Sequence, residues 1–150
     1  FAAGLGQGLL RKEGKQDDRY VRHNYNAAVF GQGQSEIRKF MKLLGGEPET
    51  ADGLAGVGDL YVTSAGGRNV RAGTFVGEGV PFSEVRDSMM KGVTLEGVNA
   101  IRVIGGAMEP LTQRGVIEPD EFPLCRYLYQ IIEHDAPLDM PFETFFGGMK

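Results

Sequence analysis

The sequence predicts an all-α protein, a single multi-helical domain over residues 1–150. Three observations carry that expectation. Apolar residues recur at three- and four-residue steps, and strand-like alternation is almost absent. Glycine accounts for 23 of 150 residues, about twice its ordinary ~7% share, as many short helices with glycine ends or close contacts require. No repeat, low-complexity tract or linker divides the chain.

Phe1 to Leu10 is small and apolar, with Gly4, Gly6 and Gly8 alternating. The third glycine comes one position too early for G-x-G-x-x-G and no strand precedes it, so close helix packing through glycines is the expected use. Arg11 to Arg22 is dense in charge, with the paired acids Asp17-Asp18, and reads as an exposed loop. Asn24 offers an N-cap for a long helix whose buried stripe is Ala27, Ala28, Phe30, Ile37, Phe40, Met41 and Leu44, ending at Gly45-Gly46.

Thr50 reads as the cap of a helix from Ala51 to about Tyr61 or Val62. Arg68 to Gly77 is a short helix, and Phe82 or Ser83 starts another that ends near Lys91-Gly92. A longer helix runs from about Leu95 or Gly97 to Arg114, with Val98, Ile101, Val103, Ile104 and Met108 inward and Gly115 closing it. Phe122 to Glu133 is amphipathic, burying Leu124, Leu128, Ile131 and Ile132. Asp139-Met140-Pro141-Phe142 resembles a cap with proline in the first turn of a last short helix to Phe146.

Composition narrows function. Hydrophobic residues at 41% and charged residues at 24% place the chain in the globular range. The net charge of -4, from 16 basic and 20 acidic side chains, gives no support to a nucleic-acid partner. A lone Cys125 excludes an internal disulfide framework and the usual zinc-ligand sets, so no metal is expected. No apolar run approaches a membrane span, and the first residues lack a signal peptide's features, which makes a cytoplasmic protein the expectation. The opening on Phe1-Ala2-Ala3 without methionine reads as a cut through a longer chain.

The chemistry concentrates in Gly56-Val57-Gly58-Asp59-Leu60-Tyr61-Val62-Thr63-Ser64-Ala65-Gly66-Gly67-Arg68-Asn69-Val70-Arg71. Gly66 and Gly67 let a ligand approach the main chain, and a helix starting near Arg68 points free N–H groups and its positive dipole end at the loop. Arg68 adds a forked cation for phosphate or carboxylate, and Asn69 a donor and an acceptor. On spacing alone, a helix-connecting turn with Arg68 as a solvated charge accounts for the stretch slightly better. Asp59, set in an apolar run, requires a cation or hydroxyl partner if buried. Thr63 shares a helical face with it if the helix extends that far. His23 and His134, each beside Asn or Asp in a loop without a triad or metal partner, read as surface residues, and Glu118, Asp120 and Glu121 as a solvated loop.

Gly56-Val57-Gly58-Asp59-Leu60, then Thr63, then Gly66-Gly67-Arg68-Asn69, closely resembles the signature of the C-terminal domain of NAD(P)-dependent glycerol-3-phosphate dehydrogenase. Gly92-Val93-Thr94-Leu95-Glu96-Gly97 is similar to a second block of that family, and a looser likeness runs from Ala2-Ala3-Gly4 to Phe122-Pro123-Leu124. The resemblance implies a helical domain like the C-terminal domain of 6-phosphogluconate dehydrogenase, with a separate N-terminal dinucleotide domain that this chain lacks. It implies NAD or NADP as cofactor, dihydroxyacetone phosphate or sn-glycerol 3-phosphate as substrate, and a possible homodimer.

By the same resemblance, Asp59 and Thr63 serve catalysis, Asp59, Gly67, Arg68 and Asn69 hold substrate, and Arg68 and Glu96 face the cofactor. Three positions depart from the family. Asn26 and Gln32 replace basic residues in a region that in the family lies near the substrate cleft, and Gly67 replaces a serine of many bacterial members. The family's catalytic lysine precedes the segment matching Phe1 to Gly4, so the isolated chain is expected to be inactive. Two rival readings stand beside this one: a non-enzymatic helical interaction domain, and a sister two-domain dehydrogenase for another small hydroxy acid.

Overall fold

The computed structural model describes residues 1–15 and 22–147. Helices α1 (Ala2–Lys12), α2 (His23–Leu43), α3 (Asp59–Ala65), α4 (Arg68–Glu78), α5 (Phe82–Glu84), α6 (Glu96–Gln113) and α7 (Pro123–His134) follow one another, with no strand among the described residues. Short 3₁₀ turns lie at Pro48–Asp52 and Phe142–Gly147, and π turns at Leu54–Gly58 and Val85–Met89. The all-α expectation therefore holds. Among the described residues, no helix is long and apolar enough to cross a membrane.

The closest packing is between α1 and α4, and glycine is its cause. A methyl group placed on Gly4 would lie 2.0 Å from the Val70 carbonyl oxygen, and one on Gly8 would lie 2.1 Å from that of Thr74. From the other side, a methyl on Gly73 would lie 2.1 Å from the Phe1 carbonyl oxygen, and one on Gly77 2.4 Å from that of Leu5. Contacts advance in the same direction along both helices, so α1 and α4 run parallel. The N-terminal end of α1 thus lies beside the N-terminal end of α4. The close glycine packing expected of Phe1 to Leu10 is what the structure contains.

The main core gathers around this pair. Leu5, Phe82 and Val85 are fully buried, with Ala72, Val98 and Ile131 beside them, and each large apolar side chain so buried contributes about 1.5–3 kcal/mol. A smaller cluster of Met108, Ile117, Phe122 and Cys125 lies at the other side of α6 and α7. There Phe40 stacks on Phe122 at a centroid distance of 4.2 Å. Burial pushes the Cys125 thiol up to about 12, so it packs as an inert hydrophobe.

Helix α2 departs most from expectation. Its buried face is Tyr25, Val29, Gln32 and Glu36, whereas Ala27 and Leu44 of the expected stripe are exposed and Leu44 is 82% accessible. The reason is tertiary. Leu124 N–H donates to Glu36 Oε1 at 2.8 Å and Cys125 N–H to Glu36 Oε2 at 2.9 Å, so a carboxylate from α2 caps the start of α7. Gln32 Nε2 donates to Glu36 Oε1 at 2.7 Å. Burial raises the Glu36 pKa above the ordinary glutamate range, against the pull of these three donors.

Other expectations shift locally. Helix α2 begins at His23 with Arg22 as its N-cap, so Asn24 lies inside the first turn and caps nothing. Arg11 and Lys12 belong to α1 rather than to a loop, and Asp17-Asp18 fall outside the described residues. The helix expected from Ala51 is broken: Gly53 is extended, and Gly56 sits where a methyl would lie 2.0 Å from the Ala51 carbonyl oxygen. Val103 is 75% exposed, off the buried face of Val98, Gly105 and Met108. The last segment is a 3₁₀ turn from Phe142, which Pro141 precedes rather than opens.

Candidate functional site

The chain enters α4 through Gly66 and Gly67. Gly66 is extended, but Gly67 has φ +100° and ψ -174°, a conformation open to glycine and almost nothing else. Gly67 is the N-cap of α4, and among the described residues no side chain caps the free N–H groups of the first turn. They remain available to a ligand. A methyl on Gly67 would meet nothing within 4 Å, so the space in front of this turn is open.

A second helix start faces it. Helix α6 begins at Glu96 after Leu95, which offers no capping side chain. Arg68 Nη2 reaches Glu96 Oε1 at 2.8 Å. Asn69 packs on Gly97, where a methyl would lie 3.1 Å from Asn69 Cγ. Asn69 Oδ1 is buried with no hydrogen-bond partner among the described residues. Two helix N-termini, a guanidinium and an unsatisfied amide oxygen therefore share one location, which is suited to an anion carrying hydroxyl groups.

The Arg68–Glu96 pair is open to water, with side-chain exposures of 56% and 60%. A pair so exposed contributes about 1 kcal/mol or less. It yields readily to a ligand that offers the guanidinium a better acceptor.

Asp59 and Thr63 sit differently. Asp59 is the first residue of α3 and exposed, so the cost of a buried carboxylate does not arise. Its carboxylate has no hydrogen-bond or ion-pair partner among the described residues. Thr63 Oγ1 donates to its own helix, to the Asp59 carbonyl oxygen at 2.9 Å and the Leu60 carbonyl oxygen at 3.3 Å. At ~1.5 Å per residue, Asp59 lies about 9 Å along the axis from the C-terminal end of α3, where Gly66 follows. The carboxylate that meets Arg68 is thus Glu96.

Gln32 is 2% exposed against Glu36, and Asn26 Oδ1 is buried beside Gly6 without a hydrogen-bond partner among the described residues. His23 and His134 are exposed, and so are Glu118 and Asp120. Among the described residues, no group of His, Cys, Asp and Glu is gathered as a metal site.

Sequence reasoning missed Glu36 altogether. The available signal was Phe122: an aromatic N-cap before Pro123 brings no acceptor of its own, so the first N–H groups of α7 need one from elsewhere. Gly97 belongs to the second family block, and its lack of a side chain is what admits Asn69.

The chain matches the profile of the NAD-dependent glycerol-3-phosphate dehydrogenase C-terminus over residues 12–143. It is similar to a glycerol-3-phosphate dehydrogenase [NAD(P)+] of Leuconostoc mesenteroides, at 38% identity over 77% of this chain and 32% of the relative. Similar enzymes of that description occur in Moorella thermoacetica, at 33% identity over 92% of this chain and 39% of the relative, and in Lactobacillus johnsonii, at 32% over 95% and 39%. The chain therefore spans about a third to two-fifths of the length of these relatives. No solved structure matches it.

Proposed function

Because the chain belongs to the NAD-dependent glycerol-3-phosphate dehydrogenase C-terminal family, we propose that it is the substrate-binding part of such an enzyme. The reaction is the reversible NAD(P)-linked reduction of dihydroxyacetone phosphate to sn-glycerol 3-phosphate. One observation carries the reading: the uncapped start of α4, opened by Gly67 and flanked by Arg68 and Asn69, faces the start of α6. The substrate phosphate takes the N–H groups after Gly67 and the Arg68 guanidinium. Asn69 holds a hydroxyl near the reacting carbons, and the reading keeps Asp59 and Thr63 of α3 as the residues that serve catalysis.

The nicotinamide cofactor, when bound, supplies or accepts the hydride. Arg68 and Glu96 are the residues of this chain that would hold it. Both are exposed at one spot, and the guanidinium suits its phosphates and the carboxylate its ribose hydroxyls. On this reading the other contacts to NAD or NADP belong to the separate N-terminal dinucleotide domain that the family resemblance implies.

Reduction builds negative charge on the substrate oxygen, which needs a proton donor in reach. Lys12 and Lys15 do not fill that role. Lys12 lies at the far end of α1, about 16 Å from its start, where its Nζ approaches the position of Gly79 after α4. Lys15 pairs with Glu13 at 3.1 Å. On this reading the 150-residue chain alone binds substrate without turning it over.

Calorimetric titration with sn-glycerol 3-phosphate tests this. The reading expects weak, salt-sensitive binding that Arg68→Ala abolishes, and no NADH oxidation with dihydroxyacetone phosphate. Equal binding by Arg68→Ala removes the site, and turnover by the pure chain removes the account of the missing proton donor.

A further inference from the structure

We infer that the glycines interlocking α1 and α4 are positioning residues for the anion site: they set the height of Arg68 and Asn69 along the bundle. The inference rests on the site proposed above and adds what holds it in place. Gly4 abuts the Val70 carbonyl, in the same first turn of α4 that carries Arg68 and Asn69. Gly73, in the next turn, abuts the Phe1 carbonyl, and the Leu5 amide nitrogen would lie 3.2 Å from a methyl there. Three glycines that face other α-helices meet side chains instead: Gly6 meets Tyr25, Gly97 meets Asn69, and Gly105 meets Tyr129.

The distinction matters mechanically. A side chain changes rotamer to admit a methyl group, but a helical carbonyl moves only with its helix. A methyl at Gly4 or Gly73 therefore slides or separates α1 and α4. The start of α4 moves with it, while the start of α6, held by Val98 and the core beyond, stays. An anion bridging N–H groups, the guanidinium and Asn69 requires all three within hydrogen-bond reach at once. A shift near 1 Å is enough to lose one of them.

The experiment is titration of the 150-residue chain with inorganic phosphate by calorimetry, at a temperature where circular dichroism shows each variant folded. Gly4→Ala and Gly73→Ala are compared with Ile117→Ala, which destabilises the separate cluster under α6 and α7. Both glycine variants are expected to weaken phosphate binding by about tenfold, and Ile117→Ala to leave it unchanged. Gly73→Ala is the milder change, since its partner carbonyl belongs to Phe1, and it decides alone if Gly4→Ala does not fold.

Glycine variants that bind phosphate as the parent does overturn the inference, however much stability they lose. Equal weakening by Ile117→Ala also overturns it, by showing a general loss of order. Binding that Arg68→Ala leaves untouched removes the site and this inference together. Binding that depends on Arg68 but not on the glycines removes the inference alone.

Discussion

Helices α3 and α4 are separated by one glycine pair and meet the rest of the protein in opposite ways. Helix α4 buries Val70, Ala72, Gly73, Thr74, Val76 and Gly77. Helix α3 buries nothing, and Tyr61 and Val62 are each 69% exposed. The preceding π turn buries nothing either, with Leu54 at 88% exposure. The contrast teaches that the two halves of the candidate site are held by different means. Arg68 and Asn69 are carried by a helix locked into the core, whereas Asp59 and Thr63 ride on a segment with few buried contacts, the kind that opens at low free-energy cost.

Substitutions sharpen this contrast in order of expected size. Gly8→Leu drives a side chain into the Thr74 carbonyl and the Gly77 backbone. It should lower stability by about 3 kcal/mol, read as a reduced urea midpoint with an unchanged slope. A near-neutral Gly8→Leu would mean that α1 and α4 are not in backbone contact.

Next comes Glu36→Ala, which leaves the Leu124 and Cys125 N–H groups without their acceptor. A loss of about 2 kcal/mol follows. Its pH behaviour carries a sign. Burial raises the Glu36 pKa above its ordinary value of 4.5, so the folded state keeps this proton more readily than the unfolded one. Its contribution is full below 4.5 and declines as pH rises through the higher folded value. Glu36→Gln should remove that decline from the profile of stability against pH. A profile identical to the parent's would show that Glu36 is not buried against α7.

The smallest effects belong to α3. Asp59→Asn and Val62→Ser should each stay within about 0.5 kcal/mol of the parent, because neither side chain has a buried contact to lose. A loss several times larger from either would place α3 in the core and end the contrast with α4.

What was legible in the sequence follows from how local its causes are. Helices α4, α6 and α7 start and stop within a residue or two of expectation, because Gly67, Gly79 and Gly115 act on their own neighbours. The inward set Leu124, Leu128, Ile131 and Ile132 is buried as its spacing foretold. The α2 stripe went wrong because apolar periodicity cannot show that Gln32 and Glu36 turn inward to serve another helix, 88 positions away in the case of Leu124. The helix expected from Ala51 is interrupted at Gly53, which is extended, but from Leu54 the chain is helical through Gly56 and Gly58 to Ala65, a few residues past the expected end.

The candidate site was legible as residues but not as pairs. Arg68, Asn69 and Glu96 were each named from the family signature, yet nothing in their spacing shows that 28 positions close to a single hydrogen bond. Asp59 was expected to need a partner, and its exposed place at the start of α3 shows that it does not.

The central claim is that the start of α4 is an anion site, and residue-resolved NMR titration of the chain with inorganic phosphate tests it most directly. The account predicts that the amide signals of Gly67, Arg68, Asn69 and Val70 move together with those of Glu96 to Val98, and that Arg68→Ala removes the response. Shifts confined to other segments, or a response at Gly67 to Val70 that survives Arg68→Ala, would contradict it.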